Sequence, residues 1–175
     1  MSTTSIIYSN DDDRAYGLAG MAISLAALDA LDRVSSISLD GEDTMVSFSH
    51  EYYFSSSPSI SPKASWNNLL SNYNLTLAMA LSNVMSRWMV RRHEEVPADI
   101  MDTLYRTVVA EGCETCSLEE DEAETLYNRA NTYMRRIFRN ERLHPAIDEF
   151  VRVLSLQRSL TGHEIADELR LLQII

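Results

Sequence analysis

Only five glycines, four prolines and two cysteines occur in the 175 residues. Two cysteines cannot build a disulfide scaffold. So little glycine and proline excludes collagen-like and low-complexity classes and leaves ordinary globular composition, 45% hydrophobic and 23% charged. Basic residues are also scarce. Fifteen Lys and Arg face 26 Asp and Glu, for a formal net charge of −11. Such a surface repels phosphate backbones and anionic headgroups, so neither nucleic acid nor membrane surface is an expected partner. The one basic cluster, Arg87, Arg91, Arg92 and His93, runs straight into Glu94 and Glu95. Long apolar runs are missing too. The longest, Ala15 to Leu28, is interrupted by two glycines and a serine and falls short of the roughly 20 residues of a membrane span. The start, Met1-Ser2-Thr3-Thr4, lacks the basic start and cleavage pattern of a signal peptide. The expectation is one compact domain over residues 1–175, soluble and cytoplasmic.

What is present reads mainly as helix. Asp11, Asp12 and Asp13 offer N-cap and first-turn carboxylates to a helix over about 11–34. Leu18, Met21, Leu25 and Leu28 form its apolar stripe, and its alanines make it central and buried. Gly17 and Gly20 each cost such a helix about 1 kcal/mol relative to alanine, which predicts close approach by a neighbouring element. The period then changes. Ile37 and Leu39 alternate with serines, Asp40-Gly41-Glu42-Asp43 signals a turn, and Met45, Val46, Phe48, Tyr52, Tyr53 and Phe54 follow as a second strand. Ile6 to Tyr8 offers a weak further strand. Ser55 to Pro62 reads as a hinge loop. Helices are then predicted over about 65–92, over 97–111 with Gly112 at its end, from Ser117, from His144-Pro145, and from a Thr161–Glu164 capping box. The class is mainly α (α+β), five to six helices with a small β-hairpin or sheet after the first.

The frame Ala15 to Ala22, AYGLAGMA, resembles the zinc helix of the FtsH family of ATP-dependent metalloproteases, AYHEAGHA. Leu126-Tyr127-Asn128-Arg129-Ala130 resembles that family's A-Y-x-R-A helix. Ile137 to Arg142 resembles its I-L-x-x-N-R, and Leu160 to Ile165 its closing L-x-G-x-E-I. The resemblance implies an FtsH peptidase-like domain with a substrate-side edge strand after the first helix. The family's two histidine ligands fall on Gly17 and Met21 and its glutamate base on Leu18. H-E-x-x-H chemistry needs two imidazoles one turn apart on one metal and a carboxylate beside them. Glycine offers no ligand, leucine no base, and a thioether is a poor zinc ligand. The third ligand, an aspartate opening a helix, aligns with Asp99 in the preferred register, or with Asn74-Leu75 in another. No G-x-x-x-x-G-K-[ST] loop is present, so the resemblance covers the protease domain alone.

These residues have plainer readings. Leu18 and Met21 fit core packing, Cys113 and Cys116 two ordinary thiols, and His50 a polar strand residue. A zinc site on the cysteines would need two of His93, His144 and His163. The acidic run Glu119 to Glu122 fits a solvated helix start. The expectation is a degenerate, non-catalytic binding or assembly module, a pseudoprotease with no cofactor. Its partner is a protein or peptide, taken by strand addition along Thr44, Val46, Phe48 and Tyr52. The alternatives are a zinc metallopeptidase rearranged around Asp99 and distant histidines, and a homo-oligomerising structural module.

Overall fold

A computed structural model of the chain describes residues 7–41, 45–49 and 62–175. Helix α1 spans Asp11–Ala27. Its cap is Asn10, whose Oδ1 accepts from the Asp13 backbone N–H at 2.8 Å. α1 ends well before residue 34. Asp29 takes a left-handed conformation, φ 53°, and Ala30 N–H donates to the Leu25 carbonyl at 2.8 Å. This six-to-one closure ordinarily uses glycine at the left-handed position; aspartate occupies it here. A 3₁₀ turn, Leu31–Arg33, leads into strand β1, Val34–Ser38.

Strand β2 is Val46–Phe48 and pairs antiparallel with β1, Ile37 opposite Val46. Thr44, His50 and Tyr52 to Phe54 lie outside the described residues, as do Glu42, Asp43 and most of the expected hinge loop. Ile7 and Tyr8 form no strand. The sheet has an unforeseen third member, β3, Ser159–Thr161, which pairs with the other edge of β1 to give the order β2-β1-β3. Ile37 and Leu160, opposite one another, are both fully buried.

Helix α2 spans Pro62–Met85 and widens into a π-helical turn, Ser86–Val90, in which Arg91 N–H donates to the Ser86 carbonyl at 3.1 Å. Helix α3, Ala98–Cys116, runs straight through Gly112. That glycine is no terminus. A Cβ there would stand 2.6 Å from the Tyr73 hydroxyl, so the position admits the α2 tyrosine. Ser117 in left-handed conformation ends the helix instead. Helix α4, Glu120–Phe138, starts at a capping box in which Glu119 N–H donates to Glu122 Oε2 at 3.0 Å. Helix α5, His144–Gln157, leads through β3 into α6, Gly162–Leu171. The expected Thr161–Glu164 box is there. Thr161 N–H donates to Glu164 Oε2 at 2.8 Å, and Glu164 N–H donates to Thr161 Oγ1 at 3.3 Å.

The fold is therefore mainly α with a small antiparallel sheet. α1 packs on α2, the π turn and α5, while α2 also carries α3 and α4. Leu18, Leu25, Leu77, Leu81, Phe138 and Phe150 are fully buried in the shared core. Each such side chain contributes about 1.5–3 kcal/mol. α1 and α2 meet backbone to backbone at Gly20, where a Cβ would stand 2.2 Å from the Ser82 carbonyl oxygen. Among the described residues no helix is long and apolar enough to cross a membrane.

Candidate functional site

Gly17, Leu18 and Met21 share α1, and each faces packed protein. At Gly17 a Cβ would stand 2.7 Å from Asn83 Nδ2 and 3.0 Å from the Tyr8 ring. Asn83 Nδ2 donates to the Tyr8 hydroxyl at 2.7 Å, so the two side chains fill that face together. Leu18 is fully buried, and Met21 is half-buried against the core. Asp99 lies exposed in the first turn of α3, whose neighbours are α4 and α2. These residues do not fit a zinc ion. Positions 17 and 18 carry no donor, and among the described residues no three His, Cys, Asp or Glu side chains stand close enough to share an ion. Val46 and Phe48 sit on β2, the last strand of the sheet on that side among the described residues.

Beside Gly17 lies a polar cluster that periodicity did not reveal. Asp13, fully buried, takes Arg87 Nε at 2.9 Å on Oδ1 and Arg87 Nη2 at 2.6 Å on Oδ2. Ser9 donates to Oδ2 from its N–H at 2.9 Å and its hydroxyl at 3.1 Å. Arg91, one turn beyond Arg87, reaches Oδ1 at 3.4 Å and pairs with Asp12 at 2.6 Å. Arg87 also donates to the Ile7 carbonyl at 3.0 Å and lies over the Tyr8 ring, 4.5 Å from its centre. Burial by itself would raise the Asp13 carboxyl. The hydrogen bonds from Arg87 and Ser9 and the guanidinium charge overcome this and hold it down at about 2. A carboxylate so acidic is a poor general base near neutrality. Its chemistry is to lock the start of α1 onto the π turn. A sequence signal for it exists: Arg87 and Arg91 at helical spacing, opposite three consecutive aspartates.

A cavity of about 640 Å³ opens where the π turn, α4 and α5 meet. His93 and His144 face each other there with ring centres 6.1 Å apart. His144 Nε2 lies 2.7 Å from the Phe138 carbonyl. A carbonyl can only accept, so Nε2 is the donor of this hydrogen bond. Nearby, the Tyr16 hydroxyl donates to Asp148 Oδ1 at 2.7 Å, and Glu95 holds Arg135 and Arg139. The structure thus unites two of the histidines that sequence spacing considered. His163 remains on the exposed face of α6, 3.9 Å from Asp167. Cys113 and Cys116 occupy the last turn of α3 as free thiols. Burial raises the Cys116 thiol, the opposite of what a reactive cysteine needs.

Comparison of the chain with protein-family models, with curated proteins and with solved structures found no match.

Proposed function

We propose that this chain is a non-catalytic binding or assembly module, a degenerate FtsH peptidase-like domain in which packing has replaced the hydrolytic site. One observation carries the reading. The face of α1 on which the resemblance would put the first zinc ligand is filled by Asn83 and Tyr8, side chains that an imidazole there would have to displace. Replacing a buried polar site by packed groups removes desolvation cost and suits a domain that no longer needs the chemistry. The second strand at the sheet's edge supports partner binding by strand addition, because Val46 lies on the strand whose other flank no described strand covers.

Zinc analysis of the purified protein, a casein-cleavage assay and an array of extended peptides test this together. The expected outcome is zinc well below one equivalent, no cleavage, and retention of extended peptides that compete with one another. Stoichiometric zinc with peptide cleavage would overturn the proposal, and indifference to extended peptides would remove its strand-addition part.

A further inference from the structure

We infer that the groove between α2 and α4 is a docking site for an acidic amphipathic helix of a partner protein. The inference stands on residues remote from the Gly17 face and from β2, so its failure would leave the preceding proposal intact. The groove encloses about 850 Å³. Its lining is mixed. Leu28 at the end of α1 and Leu126, Ala130 and Tyr133 of α4 offer apolar surface beside Asn74, Asn128 and Thr132. Ala78 and Met134 close the floor as buried core residues. Leu28 is 38% exposed and Tyr133 is 43% exposed, so both offer apolar surface to a partner at the same groove.

α4 has two faces. Ala123, Tyr127, Met134 and Phe138 point into the core. Leu126, Arg129, Tyr133 and Arg136 recur at spacings of three and four, so they form one stripe along the groove. The Tyr133 hydroxyl donates a long hydrogen bond to the Ala27 carbonyl at 3.4 Å. Arg129 and Arg136 lie two turns apart, about 10 Å along the axis, and both are exposed.

Charge selects the occupant. On the same helix Arg135 and Arg139 are both held by Glu95. Arg129 and Arg136 hold no carboxylate among the described residues, although the chain carries 26 acidic side chains. A groove whose exposed apolar groups, Leu28 and Tyr133, lie beside two guanidiniums with no carboxylate among the described residues matches a helix with an apolar stripe flanked by Glu or Asp. The guanidiniums would take those carboxylates in forked hydrogen bonds. A basic helix would be attracted to the protein's net charge of −11 at many places, but not to this rim.

The test uses the full chain and three labelled synthetic peptides: a helix-forming Leu/Glu/Ala amphipathic peptide, a scrambled version of it, and a Leu/Lys/Ala counterpart. Binding is read by fluorescence anisotropy. The acidic amphipathic peptide should bind saturably and better than its scramble. Arg129→Glu with Arg136→Glu should weaken it by about tenfold or more, and Leu28→Asp should weaken it as well. Arg106→Glu, an exposed charge on α3, should leave it unchanged. Circular dichroism and urea midpoints check that each variant folds. Photo-crosslinking of the acidic peptide to the unaltered protein gives an answer independent of any variant, and the adducts should fall on α2 and α4. The inference is overturned by non-saturable binding, by equal affinity for the scramble, by equal loss in Arg106→Glu, or by crosslinks elsewhere. It is also overturned if sedimentation shows a dimer that the double charge reversal dissolves, since the occupant would then be a second copy of the chain.

Discussion

Arg87 reaches from the π turn to grip both carboxylate oxygens of Asp13 in the first turn of α1, at 2.9 and 2.6 Å, and both side chains are buried. Removing one member leaves the other charge buried and unmatched, which costs about 3–5 kcal/mol in such pairs. Asp13→Ala or Arg87→Ala should therefore lower the urea midpoint sharply. Asp13→Leu combined with Arg87→Met should recover most of that loss, because an apolar pair of similar volume leaves no charge stranded. A double variant no more stable than the singles would mean that Ser9, Tyr8 and Arg91 carry the coupling instead.

The same pair sets an acid limit. The folded-state value of Asp13, about 2, lies below the ordinary 3.8. A depressed carboxyl contributes stability that is fully present above the unfolded value and is lost as pH falls through the folded one. The chain should lose on the order of 2–3 kcal/mol between about pH 4 and pH 2 from this group. Asp13→Asn should flatten that part of the stability–pH curve, which urea titrations across the interval would detect.

At Gly20 the backbones of α1 and α2 touch, and at Gly17 two side chains fill the space. Gly20→Ala would gain about 1 kcal/mol of helix propensity but would drive a Cβ into the Ser82 carbonyl, an overpacking cost of about 3 kcal/mol. A net loss near 2 kcal/mol is expected. Gly17→Ala meets the movable end of Asn83 and should lose less. Thermal unfolding of the two variants side by side checks the order, and an equal or reversed ranking would show that α2 yields more easily than Asn83 does.

Tyr73, buried on α2, donates its hydroxyl to the Val108 carbonyl at 2.9 Å and occupies the space Gly112 leaves on α3. Tyr73→Phe should cost about 1 kcal/mol. Burial, reinforced by nearby Cys116 and Glu111, pushes the phenol up to about 12 from its ordinary 10. A raised phenol favours the folded state below the unfolded value, and that advantage fades as pH climbs from about 10 towards 12. The phenylalanine variant should not show this part of the alkaline loss.

The two thiols differ in access and acidity. Cys116 is buried with its ionisation disfavoured, whereas Cys113 is only half-buried. Iodoacetamide should label Cys113 first and reach Cys116 only as the chain opens, which timed quenching and mass spectrometry resolve. Simultaneous labelling would show that the last turn of α3 frays.

The helices were legible because their apolar residues recur at three and four and their starts carry recognisable caps, as at Thr161 and Glu164. Their ends were less so. α1, α3 and α5 stop on Asp29, Ser117 and Arg158 in left-handed conformation, where a reader of sequence looks for glycine. The one glycine that did look like a stop, Gly112, serves Tyr73 from 39 residues away in the chain and so carries a tertiary message in local guise. The close approach expected at Gly17 and Gly20 is present, because a glycine inside an otherwise strong helix has few other uses. The Asp13–Arg87 clamp was hidden for a different reason. Arg87 and Arg91 recur at helical spacing, but nothing in either segment names a partner 74 residues away. The meeting of His93 with His144 likewise joins residues 51 apart in the chain, a distance over which neither segment carries a local signal.

β1 sits between a neighbour a few residues downstream and another that lies far along the chain, with Ser159 donating to the Ile37 carbonyl 122 residues away. During synthesis that flank of β1 must wait while four helices are made. For that interval the nascent protein presents an unmatched row of peptide groups, the kind of surface that recruits stray strands from other chains. Slow translation between α2 and β3 would lengthen the exposure, so yield in the cell should depend on how promptly the far strand arrives as well as on how firmly the finished fold holds.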